Sequence, residues 1–132
     1  SQNAIVNWNT FNVGTGERVQ FQQPNATSAT LNRVVGGLGP SQILGSIDAN
    51  GRVFIVNRDG IVFGPGAVIK TSGFLATTSD IRNSDFMAGN YQFNIPGRPD
   101  ASIVNRGTIT AHSSGFAALV APGVRNTGTI IR

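Results

Sequence analysis

The chain is 132 residues long, enough for one hydrophobic core and too short for two. Charged residues are 12% of it against about 25% in an average domain, and 17 glycines with many Asn and Thr fill the difference, which makes a surface polar without charge. A hydrophobic content of 39% excludes disorder, and the longest apolar run falls far short of the roughly 20 residues that span a bilayer.

Apolar residues come in short bursts rich in Val, Ile and Phe that stop at Gly, Asn, Asp or Pro, the pattern of strands and turns. The bursts are Ile5 to Trp8, Arg18 to Gln22, Val53 to Val56, Ile61 to Phe63, Ala67 to Ile69 and Ala117 to Val120. Val19 and Phe21 alternate with Gln20 and Gln22, as on a strand with one wet face, whereas Val53 to Val56 is apolar throughout, as on a strand covered on both faces. Between bursts, Gly36-Gly37-Leu38-Gly39-Pro40 reads as a corner and lacks the strand-to-helix context of a phosphate loop. Residues 80–100 scatter Ile81, Phe86, Met87, Tyr91, Phe93 and Ile95 among polar and turn residues, with clean alternation from Tyr91 to Ile95. They predict a hairpin or loop that leaves the main body and lays its aromatics on an outer face. No helix longer than about two turns is predicted.

Internal repetition decides the architecture. Ile103-Val104-Asn105-Arg106-Gly107-Thr108-Ile109 is echoed by Val124-Arg125-Asn126-Thr127-Gly128-Thr129-Ile130 at an offset of 21, and Gly73-Phe74-Leu75-Ala76 by Gly115-Phe116-Ala117-Ala118 at 42, which is two periods. Short strands, regular turns and this period predict a β-solenoid whose coils pair in parallel about 4.8 Å apart. A β-sandwich is the competing all-β reading, and it gives no reason for recurrence every 21 residues. At that period 132 residues make about six coils. Folding is then expected to propagate coil by coil, since coil-to-coil interactions accumulate only as coils stack.

Beyond the period, particular stretches resemble a known family. Asn3 to Gly14, Leu31-Asn32-Arg33-Val34, Gln42 to Ile47, Asn50 to Gly64, Gly73 to Ile81 and Ile103 to Ile109 are similar, in order and without a large gap, to the secretion domain of filamentous-haemagglutinin-type adhesins. The resemblance implies a right-handed parallel β-helix at the N-terminus of a large exoprotein exported by two-partner secretion. It implies recognition in the periplasm by the POTRA domains of a dedicated outer-membrane β-barrel transporter, folding outside, and a secreted or cell-surface location. Two departures stand out. The family's Asn-Pro-Asn-Gly turn is Asn57-Arg58-Asp59-Gly60 here, and the family domain extends beyond both ends of this stretch, so residues 1–132 are expected to be one β-helix section without its N-terminal cap. Bare strand edges at such ends predict end-to-end self-association.

Candidate functional residues follow. Asn57, Arg58, Asp59 and Gly60 form a tight turn between two apolar strands. In the family this region is tied to secretion, so the turn reads either as part of the transporter's recognition signal or as a turn that merely lets the coil fold. Asn105 and Asn126, with Gly107 and Gly128 two residues on, are expected to stack as ladder and corner residues. Trp8, Phe11, Phe54, Phe63, Phe74 and Phe116 read as stacked core ahead of a sugar platform. An adhesive surface for host or matrix glycans is the alternative function.

No cofactor or metal is expected: the chain has no cysteine and one histidine, His112, in a polar turn-like stretch. The net charge of +4 rests on nine arginines and Lys70 strewn along the chain, which argues against nucleic acid and leaves a polyanion or lipopolysaccharide contact as the lesser reading. Some β-helix proteins are polysaccharide lyases or hydrolases, which need clustered carboxylates. Among the six acids here the best pair is Asp59 and Asp80, 21 apart, and one sits in a turn while the other begins an excursion. The chain is not expected to be an enzyme.

Overall fold

The computed structural model describes residues 2–112 and 115–131. The described residues wind through five coils. The first holds β1 (Asn3–Trp8) and β2 (Arg18–Phe21), the second β3 (Ala29–Val34), β4 (Ser41–Ile43) and β5 (Ser46–Ala49), and the third β6 (Arg52–Asn57), β7 (Ile61–Phe63) and β8 (Val68–Thr71). The fourth holds β9 (Gly73–Thr77), β10 (Ser102–Asn105) and β11 (Thr108–Ala111), and the fifth β12 (Ala117–Val120), β13 (Gly123–Asn126) and β14 (Thr129–Ile131). Like strands of successive coils pair in parallel to make three sheets, ordered β1-β3-β6-β9-β12, β4-β7-β10-β13 and β2-β5-β8-β11-β14. This is a parallel β-helix.

Parallel register puts like residues over like. In the third sheet Val19, Ile47, Ile69, Ile109 and Ile130 fall in one column, and the middle three are fully buried. β-branched side chains suit such a column, since they stand off a pleated surface with little rotamer freedom left to lose. Ile43, Phe63, Phe74, Ile61 and Ile103 close the same interior from the other sheets.

Five coils stand where length over period gives about six, for two reasons. Residues 80–100 consume one period outside the coil, and the first coil is long: Asn3 pairs with Ala29 and Arg18 with Ser46, offsets of 26 and 28, against 21 for Asn105 and Asn126. The excursion is a loop carrying one short helix, α1 (Asn83–Met87), and not a hairpin; Asp80 and Ile95 meet in a single antiparallel bridge.

That loop covers the outer face of the first sheet and makes a second core from Leu31, Phe54, Val56, Ile81 and Phe86, with Ile5, Tyr91, Phe93 and Phe116 packed on it. The continuous burial of Val53 to Val56 has this cause: Val53 and Ile55 point into the coil while Phe54 and Val56 point under the loop. The six aromatics expected as stacked core all lie in or against a core and are divided between the two. Trp8 and Phe11 lie 5.2 Å apart and Phe63 and Phe74 5.8 Å apart in the interior, whereas Phe54 and Phe116 belong to the outer core, their rings 5.8 Å apart.

Candidate partner-recognition site

The turn Asn57-Arg58-Asp59-Gly60 links β6 to β7 at the corner between the first and second sheets. The Asn57 side chain accepts from the Asp59 N–H at 2.9 Å, and the Gly60 N–H donates to the Asn57 carbonyl at 3.1 Å. Both bonds close within four residues. Gly60 has φ of +121°, which an L side chain rarely adopts, so the glycine is required by the backbone itself. Asn57 is buried and its amide donates to the Ser41 hydroxyl at 3.0 Å and the Gly39 carbonyl at 3.2 Å, tying the turn to the coil below. Asp59 accepts from the Gly39 N–H at 3.2 Å and lies 3.7 Å from Arg98. Arg58 alone of the four is exposed, and among the described residues only its carbonyl is engaged, by the Arg98 N–H at 3.0 Å. Beside it Val35, Arg33, Asp80, Ile95 and Pro96 line a cleft of about 200 Å³, and Val35 and Ile95 are themselves exposed.

Asn105 and Asn126 are directly opposed in β10 and β13, and the Asn105 amide donates to the Asn126 side-chain oxygen at 3.0 Å. Each side-chain oxygen also accepts from the glycine two residues on, Asn105 from Gly107 at 3.1 Å and Asn126 from Gly128 at 3.2 Å. The pair is two steps long, because the column below continues with Phe63 and Ile43. The glycines serve close approach and have ordinary φ: a Cβ on Gly107 would fall 2.5 Å from the Ala67 carbonyl oxygen, and one on Gly128 would strike that of Gly107.

Asp59 and Asp80 are held by different partners, Asp59 by Gly39 and Arg98, Asp80 by Arg33 at 2.8 Å and the Ile81 N–H at 2.7 Å. Among the described residues no group of three or more His, Asp or Glu is placed to hold a metal ion. His112 is exposed and borders an open groove of about 710 Å³ over the third sheet, with Gln20, Asp48, Asn50 and Lys70. Ser113 and Ser114 of its turn lie outside the described residues, as do Ser1 and Arg132.

The model of the TPS secretion domain family matches residues 1–132. The chain belongs to this family of two-partner secretion domains. The TPS domain is also similar to the crystal structure of the HMW1 secretion domain from Haemophilus influenzae, with a TM-score of 0.88 and 42% identity over 96% of this chain and 34% of that one. Two heme/hemopexin-binding proteins of Haemophilus influenzae are related as well, one 40% identical over 93 residues and one, from strain Rd, 42% identical over 76. The chain covers 10% and 8% of their lengths, and they cover 70% and 58% of it. A TPS domain serves export of its exoprotein with an outer-membrane transporter as partner, which is a non-catalytic role in a secreted protein. No described helix is long and apolar enough to cross a membrane.

In the sequence Arg33 stands out only as part of the family-like stretch Leu31-Asn32-Arg33-Val34. Its guanidinium is shared among Asp80, Ile81, Asn83 and Asn7, and three of these lie 47 to 50 residues away, a spacing unrelated to the period.

Proposed function

We propose that this TPS domain is the element by which the POTRA domains of the outer-membrane transporter recognise the exoprotein in the periplasm, and that its β-helix seeds folding once the chain emerges at the cell surface. The observation that carries the reading is the self-contained geometry of Asn57 to Gly60. Two bonds close within the turn, so it can form in a chain that has not yet coiled, and it presents Arg58 outward with its guanidinium unengaged among the described residues. An exposed arginine suits a carboxylate partner, to which it can donate two parallel hydrogen bonds.

The experiment replaces Arg58 by Gln, and separately Asp59 by Asn, and measures folding and export together. Export lost with folding intact supports a recognition signal. Export unchanged assigns the turn to coil formation alone.

A second reading has one observation in its favour. The groove over the third sheet offers amide, carboxylate and ammonium groups from Gln20, Asp48 and Lys70 in one register column, so hydrogen-bonding groups repeat once per coil. Such a row suits a linear glycan lying along the coil axis. Binding of the folded domain to an immobilised glycan panel, lost on Lys70→Ala and Gln20→Ala, would favour adhesion by the domain itself.

A further inference from the structure

Residues 80–100 leave the fourth coil, yet many of their partners lie on the first three. The Asn3 amide of β1 donates to the Phe86 carbonyl at 3.0 Å, and the Tyr91 hydroxyl lies 3.4 Å from the Asn3 side-chain oxygen. From β3, Arg33 bonds Asp80 at 2.8 Å, the Ile81 carbonyl at 2.6 Å and Asn83 at 2.6 Å. From β6, the Phe54 ring meets Phe86 at 5.4 Å, Tyr91 at 5.0 Å and Phe93 at 5.7 Å. The column Ile5, Leu31, Phe54 and Leu75 runs across four coils beneath the loop and, without it, would face water.

In an ordinary solenoid each coil is stabilised only by its neighbours, and folding can begin anywhere and spread. Here one loop adds contacts that skip coils. We propose that this loop is a strap that locks the first three coils, so that the first stable folded unit is residues 3–98 taken together and not a single coil. The coil-by-coil expectation from the repeat is replaced by one cooperative step, followed by addition of β10 to β14 on its edge. Burial explains the order: the outer core has no inner partner to hold it, and four of its eleven described side chains arrive only with the loop, as Ile81, Phe86, Tyr91 and Phe93. For export, the consequence rests on the transporter reading above: the chain past residue 95 must emerge before the first coil is locked, which keeps earlier residues free to move through the pore.

The test is pulse-labelled hydrogen exchange during refolding of the whole chain, with amide protection read residue by residue. The amides of β1 and β3 should gain protection in the same phase as those of Asp80 and Ile95, which bond each other across the loop base. Protection of β1 and β3 in an earlier phase overturns the proposal. A native-state comparison with Phe86→Ala gives a second reading: exchange in β1 and β3 should quicken by about a hundredfold, as for a lost core aromatic, with β11 affected far less. Acceleration confined to residues 80–95 contradicts the strap. If that variant fails to fold, Asn83→Ala, exposed and costing Arg33 one partner, should give a few-fold acceleration with the same distribution. None of these outcomes depends on the transporter, so loss of the export reading and loss of the strap are separately detectable.

Discussion

Arg33 Nε on the second coil lies 2.8 Å from Asp80 Oδ1 at the point where the chain leaves the fourth. The arginine side chain is 12% exposed and that of the aspartate 34%, so the pair is partly shielded from water and has three further hydrogen bonds around the same guanidinium. Removing one partner strands the other in a poorly hydrated place. Asp80→Asn is expected to cost about 1–3 kcal/mol, less than a fully buried pair because the carboxylate is partly solvated. Arg33→Met is expected to cost more, since it also leaves the Ile81 carbonyl and Asn83 unpaired. Urea denaturation with unchanged slope checks both.

The asparagine pair gives an asymmetric prediction. Asn105 is fully buried and Asn126 exposed. Asn105→Ala removes the donor to Asn126 and the acceptor of the buried Gly107 N–H, and is expected to cost about 1–3 kcal/mol. Asn126→Ala takes the acceptor from the Asn105 amide too, but the Gly128 N–H it frees can turn to water, and it is expected to cost less. The double variant should be milder than the sum, because both lose the same bond. A thermodynamic cycle on the four proteins measures the difference.

Gly107→Ala tests the close approach of coils at the corner between the second and third sheets. Its Cβ would fall 2.5 Å from the Ala67 carbonyl oxygen and 2.8 Å from that of Gly64, both backbone atoms with no rotamer to yield. The coils must separate locally, and a loss of about 2–4 kcal/mol is expected, in the range of overpacked cores and strained backbone. Gly66→Ala is the control, since its nearest neighbour is an ordinary contact at 3.6 Å, and should change stability by under about 1 kcal/mol.

The parts of this molecule that repeat were legible in the sequence. Asn105 with Asn126, and Gly107 with Gly128, recur because register places like residues in like environments, and a period in space is a period in the chain. Where geometry departs from the period the signal fades. Gln23 and Asn50 hydrogen-bond as a side-chain substitute for strand pairing, the Gln23 N–H to the Asn50 side chain at 2.8 Å and the Asn50 amide to the Gln23 carbonyl at 2.7 Å, yet they are 27 apart because the first coil is long. Tyr91 and Phe93 alternate with polar residues because both face Phe54, and alternation reports a shared side without requiring a strand. Arg33 is the clearest loss: nothing in its neighbourhood signals a loop that returns across three coils. Of the Asn57 to Gly60 turn, its shape was readable from Asn-Arg-Asp-Gly, whereas the bonds that tie Asn57 and Asp59 to Gly39 and Ser41 of the coil below were not.

The most direct test of the proposed recognition is a binding titration between this chain and the isolated POTRA domains of the outer-membrane transporter proposed as its partner. Saturable binding is expected, weakened by Arg58→Gln while the variant still folds to the same stability. Absence of binding by the unaltered chain, with export proceeding in cells that lack the transporter, would contradict it.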